Sequence, residues 1–296
     1  MKRRDFIEKT SLATAGLLTS SGLLASAMEE EIVKVFGFQA YTVRDVIYDD
    51  LAGTLKSLRK AGFSYMELFD FQEGKILGKP IGEAKKIIDK SKIKVRSIHV
   101  PTGGVGGKKV SGTMNHEFQR AIDDAAELGA QYLVCPYLQA EERKTIDQYK
   151  VLADLLQKCG EMCQKSGLSF AYHNHAFEFQ KLQGEVPYDI ILKTDPYFVK
   201  LELDLYWVRY AGLDPINLIR ENQGRVPLWH VKDLALTDDG KQMTEVGNGI
   251  IDWEQIFRYQ AESGLRYFFV EQDSYFAENS VESLKTSIKH LRKMKF

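Results

Sequence analysis

Eight short β-rich runs, separated by helix-like stretches of similar length, constrain this chain more than any other feature. They fall at 34–39 (KVFGFQ), 64–69 (SYMELF), 94–100 (KVRSIHV), 131–136 (QYLVCP), 168–175 (LSFAYHNH), 199–205 (VKLELDL), 226–232 (VPLWHVK) and 266–272 (RYFFVEQ). Their starts lie roughly 30 to 40 residues apart, the length of one strand–helix unit. Between them, apolar residues recur at helical spacing, as in Leu51, Leu55 and Leu58, or Phe118, Ile122, Ala125 and Leu128. Four of the helix-to-strand joints carry the same mark, a glycine just before the strand: AGFSYMEL, LGAQYLV, SGLSFAY and SGLRYFF. Glycine there takes the left-handed conformation that ends a helix. Eight such units with continuously apolar strands predict an α/β fold, a single-domain (β/α)8 TIM barrel. The rival is a doubly wound open sheet, but no G-x-G-x-x-G turn follows the first strand.

The alternation begins only after Glu29-Glu30-Glu31. Before it, 1–10 (MKRRDFIEKT) is short and basic, and 11–27 (SLATAGLLTSSGLLASA) is uncharged and rich in small residues. Ala25-Ser26-Ala27 supplies the small side chains that a signal peptidase requires. Arg3-Arg4-Asp5-Phe6-Ile7 resembles a twin-arginine export signal. The expectation is an export signal over 1–27, a barrel over 28–296, and an exported, periplasmic protein. The apolar run is too weakly hydrophobic for a stable membrane anchor.

With 44% hydrophobic residues, 27% charged residues and a formal net charge of −1, the 296-residue chain reads as globular. It lacks the basic excess of a nucleic-acid binder. Its three cysteines, Cys135, Cys159 and Cys163, form no disulfide framework. Cys159 and Cys163 stand one helical turn apart and read as small buried residues.

Barrels of this kind keep their chemistry at the C-terminal ends of the strands, and there the polar residues collect. Strand two ends on Glu67 and strand three on His99; strand five ends on His173-Asn174-His175, with Glu178 just beyond. Strand six carries Glu202 and Asp204, strand seven His230, Lys232 and Asp233, strand eight Glu271 and Gln272. Alternation puts His173 and His175 on one face, and likewise Glu202 and Asp204. Which member of each pair faces the mouth is not fixed by spacing. Imidazoles and carboxylates converging in this way suit a divalent ion such as Mn2+, Mg2+, Co2+ or Zn2+.

At AYHNHAFEF, LELDLYW, HVKD and VGNGIIDW the sequence resembles the sugar phosphate isomerase/epimerase family, the xylose-isomerase-like barrels. The resemblance implies one divalent ion held from strands five to eight. Asp204, His230 and Glu271 match three of the family's ligands, and His173 stands where many relatives carry glutamate. That departure implies a histidine ligand, a shift of ligation to His175 or Glu178, or weakened metal binding. Glu67 and His99 correspond to substrate-side residues, Lys232 to a lysine near the reacting carbons, and Trp207 to a sugar-contacting position. Val246-Gly247-Asn248-Gly249 resembles a phosphate-cradling turn that more often shapes the loop around the substrate.

The chemistry implied is proton abstraction beside the carbonyl of a sugar or keto-sugar, with the metal stabilising the enediolate. His173, Asp204, His230 and Glu271 are the expected metal ligands; His175, Glu178 and Lys232 are the acid/base candidates; Glu67, His99 and Trp207 hold the substrate. An isomerase or epimerase is the first reading, and a lyase or dehydratase acting on a 3-keto-glycoside or keto-polyol the second. An abasic-site endonuclease needs further ligands and a basic face; a non-catalytic sugar-binding barrel needs a site without metal. The expected partner is a small carbohydrate, and a homo-oligomer is compatible with the sequence.

Overall fold

The edge of the Tyr65 ring, packed on Gly37, explains how this barrel closes. A Cβ on Gly37 would stand 2.0 Å from the Tyr65 ring and 2.9 Å from the Phe268 carbonyl, so only glycine lets the first strand lie against its two neighbours. In the computed structural model, which describes residues 35–71, 73–104 and 108–295, eight parallel strands form a closed ring in sequence order. They are β1 (Phe36–Gln39), β2 (Phe63–Leu68), β3 (Lys94–His99), β4 (Tyr132–Cys135), β5 (Ser169–His173), β6 (Val199–Asp204), β7 (Leu228–Val231) and β8 (Tyr267–Val270). β1 pairs with both β2 and β8. The expected barrel is therefore the observed one, with each β-rich run contributing its strand. The expected export segment, 1–27, and the expected barrel boundary at residue 28 lie outside the described residues.

Helices follow the predicted spacing. α1 (Leu51–Ala61) is capped by the Asp50 carboxylate, which accepts from the Gly53 amide, and ends on left-handed Gly62. α2 (Ile81–Ser91) and α3 (Phe118–Leu128) bury Ile81, Ala84 and Ile88, and Phe118, Ile122 and Leu128, against the sheet. α4 (Ile146–Lys165) carries Cys159 and Cys163, both free and buried as small core residues. Strand residues such as Phe38, Trp229 and Phe268, with Phe63 brought to Phe38 across a register shift between β1 and β2, pack into aromatic clusters. Strand residues alternating inward stack in layers. Tyr65, Tyr267 and Phe269 form an aromatic plug, with ring centroids 5.1 and 5.7 Å from Tyr65. Charged side chains lie above it.

Two additions sit on the barrel. One is a short antiparallel pair, Lys75–Ile76 with Lys79–Pro80. The other is a hairpin after β7, Asp233–Thr237 paired with Gly240–Thr244. Among the described residues, no helix is long and apolar enough to cross a membrane.

Candidate active site

Strand ends deliver the site's side chains in two tiers. The lower tier centres on Glu67, which is fully buried. Its Oε2 accepts from Gln39 Nε2 at 2.7 Å and lies 2.6 Å from His230 Nε2 and 2.9 Å from His99 Nε2. Glu202, opposite, brings its Oε2 to 3.1 Å from both His99 Nε2 and His173 Nδ1. The upper tier holds Asp204, Glu271, Lys232 and Asp273. Lys232 Nζ sits 3.0 Å from Asp204 Oδ2, 2.5 Å from Glu271 Oε2 and 3.0 Å from Asp273 Oδ2. His230 joins the tiers, its Nδ1 being 2.6 Å from Glu271 Oε2. Both members of the strand-six pair thus face inward, at different depths.

The backbone is locked around these groups. Asn174 Oδ1 accepts from the Asp204 amide at 3.0 Å, and Asn174 Nδ2 donates to the Asp204 carbonyl at 3.3 Å. Asp204 also caps the helix that follows β6, Leu205–Tyr210, by accepting from the Trp207 amide at 3.0 Å.

Charge follows from these contacts. Burial would lower the His99 pKa, but Glu67 and Glu202 outweigh it and raise it to about 9. The same contest, won by Glu202, Glu271 and Glu67, raises His230. Burial is likewise overcome at Lys232 by three carboxylates, which raise it, and at Glu271 by Lys232 and His230, which lower it. His175 is pushed down to about 3 by burial and the nearby Lys232, so its imidazole is neutral. Burial and Glu271 push Asp273 up to about 6.

A cavity of about 580 Å3 opens above the upper tier, lined on one side by His99, His173, His175, Lys232, Glu271 and Asp273. Several sequence expectations take a different place. Glu67 lies beneath His99 and His230 and does not line the cavity. Trp207 does not line it either; its ring packs on His175 at 5.4 Å between centroids, with Nε1 buried and unpartnered. Glu178 is buried behind β5, its carboxylate accepting from the Tyr172 hydroxyl at 2.8 Å and the His175 amide at 2.9 Å. β5 ends at His173, so the strand alternation no longer governs the residues after it. His175 nevertheless reaches the cavity, its ring 5.0 Å from that of His173.

Three residues join the site that sequence reasoning left unassigned: Gln39, Glu202 and Asp273. Gln39 ends β1, Glu202 stands two residues before the end of β6 and Asp273 three residues beyond the end of β8, so all three lie near strand ends, where the signal was. The glycine turn at 246–249 holds an internal carboxylate instead of a phosphate. Asp233 accepts from the amides of Gly247 (2.8 Å), Ile251 (3.2 Å) and Leu234 (2.8 Å), and from Trp253 Nε1 (2.9 Å).

The donors can be tested against a divalent ion. Ligand distances of about 2.0–2.2 Å place neighbouring donors roughly 3–3.5 Å apart. His173 Nε2 lies 3.5 Å and His230 Nδ1 3.9 Å from Asp204 Oδ2. Asp204, His230 and Glu271 offer ligand atoms within 4.8 Å of one another. His173 bonds Glu202 through Nδ1, which leaves Nε2 turned toward Asp204, the arrangement by which an outer carboxylate fixes a metal-bound imidazole. Glu202 Oε1 and Glu67 Oε1 are buried without a hydrogen-bond partner, whereas Asp204 Oδ2 has the Lys232 ammonium at 3.0 Å as its ion-pair partner. Asp204, His230 and Glu271 together fit an ion, and His173, 3.5 Å from Asp204, also belongs to a second close group with His99, Glu202 and His230.

A closed eight-stranded parallel barrel with acids and imidazoles at its C-terminal mouth defines a class of protein. Residues 55–294 match the xylose isomerase-like TIM barrel family, and the chain belongs to it. A solved sugar phosphate isomerase/epimerase from Parabacteroides distasonis superposes with a TM-score of 0.76 at 26% identity, covering 88% of this chain and 98% of that one. Inosose dehydratase 2 of Bacillus cereus is 26% identical over 159 residues, 48% of this chain and 53% of its own length. This chain thus spans about half the length of that relative. A more distant barrel from Mycobacterium smegmatis, solved in complex with magnesium, shares the fold at 15% identity, with a TM-score of 0.63 over 88% of this chain and 95% of that one.

Proposed function

We propose that this chain is a metal-dependent isomerase or epimerase that moves a proton at the carbon beside the carbonyl of a sugar or keto-sugar. The observation that carries the reading is the strand-end cluster: Asp204, Glu271, His173 and His230 converge beside the buried Lys232 ammonium, and His173, Lys232 and Glu271 of this group line one cavity. His173, Asp204, His230 and Glu271 would hold a divalent ion; a barrel of the same fold from Mycobacterium smegmatis was solved in complex with magnesium. Such an ion withdraws charge from a carbonyl oxygen and so acidifies the neighbouring C–H.

The chain's own groups supply the proton transfers. Among the residues lining the cavity, His99, raised to about 9, carries a proton at neutral pH and can give it, while Lys232, held charged by three carboxylates, donates hydrogen bonds. Asp273 is ionised above pH about 6 and neutral His175 keeps a free lone pair, so both can accept. Isomerisation and epimerisation need one group of each kind on a common substrate. Glu67 acts through His99 and His230, which it orients, and Glu202 through His173.

A second reading is favoured by the inosose dehydratase relatives: the same acceptor removes the proton, and the same donor expels a β-hydroxyl, giving a lyase or dehydratase acting on a keto-polyol or keto-glycoside. The composition of 1–27 supports an exported protein meeting unphosphorylated carbohydrate. Incubation of the Mn2+-loaded protein in D2O with keto-sugars, followed by mass and product analysis, tests both readings. Isomerisation gives a deuterated isomer and elimination gives loss of water. Absence of both deuterium uptake and loss of water across the panel overturns the proton-transfer reading.

A further inference from the structure

The half of the cavity opposite the acids has a different character. Tyr41, Phe69, Phe71 and Tyr137 line it, with Pro101 and Pro136. Tyr41 is 39% and Tyr137 38% exposed. Both are held in place: Arg44 stacks on the Tyr41 ring at 4.2 Å and Phe69 meets that ring edge-on at 5.2 Å, while Arg143 donates to the Tyr137 hydroxyl at 3.2 Å. Tyr137 also packs edge-on against His175 at 5.0 Å, so the aromatic half touches the reactive half. His175 Nδ1 is buried there without a partner.

The charges in the cavity point the same way. Among its described lining residues stand three carboxylates, Asp70, Glu271 and Asp273, and one ammonium, Lys232, already within 3.0 Å of three carboxylates. A phosphate placed against these groups would meet like charge, and among the described lining residues the cations, Lys232 and His99, are already paired with buried carboxylates, which leaves its desolvation poorly compensated. Flat aromatic faces, by contrast, bury the apolar C–H face of a pyranose ring. A cavity of about 580 Å3 lies in the range that houses drug-sized ligands, more than one sugar ring.

We infer that the Tyr41–Phe69–Tyr137 wall is a second subsite that takes an uncharged sugar ring joined to the reacting one, so that the substrate is a glycoside and not a sugar phosphate. The inference rests on the proposed carbohydrate chemistry for the reacting ring, and deepens it by naming what that ring is attached to.

A matched series tests it. Fructose carries a free hydroxyl, fructose 6-phosphate a phosphate, and the four glucosyl-fructoses turanose, maltulose, leucrose and isomaltulose an uncharged ring at successive oxygens. Each is titrated calorimetrically into the full-length Mn2+-loaded protein. At least one glucosyl-fructose should bind about tenfold more tightly than fructose, equivalent to ~1.4 kcal/mol, and fructose 6-phosphate no more tightly than fructose. Tyr41→Ala and Tyr137→Ala should each pull the glucosyl-to-fructose affinity ratio toward one, while Tyr41→Phe and Tyr137→Phe, which keep the ring, retain it. A preference for fructose 6-phosphate, no gain from any glucosyl ring, or a gain that survives both alanine variants overturns the subsite. Deuterium uptake from D2O is followed on the same compounds. Selective glucoside binding without deuterium uptake removes the proton-transfer reading and leaves the subsite standing; uptake with a phosphate preference does the reverse.

Discussion

His173 faces two acids, Glu202 through Nδ1 and Asp204 through Nε2. Its position is the one that resemblance assigns to a glutamate, yet a glutamate here would stand against the Glu202 carboxylate. Glu202 is already pushed up to about 7 by burial and by Glu67. His173→Glu should therefore lose divalent metal, and adding Glu202→Gln should restore affinity by about tenfold, a coupling within the range for residues in contact; a competitive chelator titration reads both. Asp204→Ala and His230→Ala should each abolish stoichiometric metal, checked by elemental analysis, with the circular dichroism unchanged. Glu178 makes a separate prediction. Burial raises it to about 7 from an ordinary 4.5, so the folded state binds its proton more tightly than the unfolded chain. Its stabilising contribution is full below pH about 4.5 and is lost as pH rises through about 7. Glu178→Gln should melt increasingly above the wild type between pH 5 and 8, by on the order of 1–3 kcal/mol at the upper end, read from melting temperatures across that range. The sequence placed Glu178 near the chemistry because it follows two histidines; what spacing could not reveal is that the chain turns after His173 and carries this carboxylate behind the strand to Tyr172. Glu67 was legible as a strand-end acid but not as the layer beneath the histidines, since depth inside a barrel depends on strand stagger.

The segment from Asp233 to Trp253 works as one element. Four donors converge on one buried carboxylate, and a Cβ on Gly249 would stand 2.2 Å from Asp233 Oδ1. Gly247 has φ +94°, a conformation that L side chains rarely adopt. Met243, on the hairpin, meets the Asp273 amide through Sδ at 3.3 Å, so the latch at Asp233 supports the loop that carries Asp273. Asp233→Ala leaves three amides and an indole N–H without their acceptor. It should cost on the order of 3–5 kcal/mol, seen in chemical denaturation, and should open the 233–252 segment to limited proteolysis before the barrel unfolds. HVKD and VGNGIIDW were both legible as motifs. Their mutual hydrogen bonding was not, because it joins a strand end to residues fourteen to twenty positions later.

At the scale of the molecule, the eight-fold alternation was readable in full. Each strand is a short β-rich run and each helix is marked by its own period, and those two signals do not depend on long-range contacts. The assignment of layers within the barrel does depend on them, which is why Gln39, Glu202 and Asp273 stayed unassigned. Export through residues 1–27 is a proposal resting on their composition. Protein lacking 1–27 should retain the melting temperature and metal content of the full chain, and protein recovered from its native host should begin beyond residue 27 by N-terminal sequencing. A start near Met1 would count against export.

The ammonium of Lys232 lies against Asp204 and Glu271, two of the groups expected to bind the ion. The barrel thus carries its own place-holder, and filling the site becomes an exchange of one cation for another. Asp273, 3.0 Å from the same nitrogen, gives the departing ammonium somewhere to stay. An exchanger of this kind lets go of its guest more readily than a bare pair of acids would, because the displaced cation is tethered and always at hand. Lys232→Met should accordingly keep its ion through a chelator treatment that strips the wild-type protein, as measured by the rate at which the metal appears in the chelator.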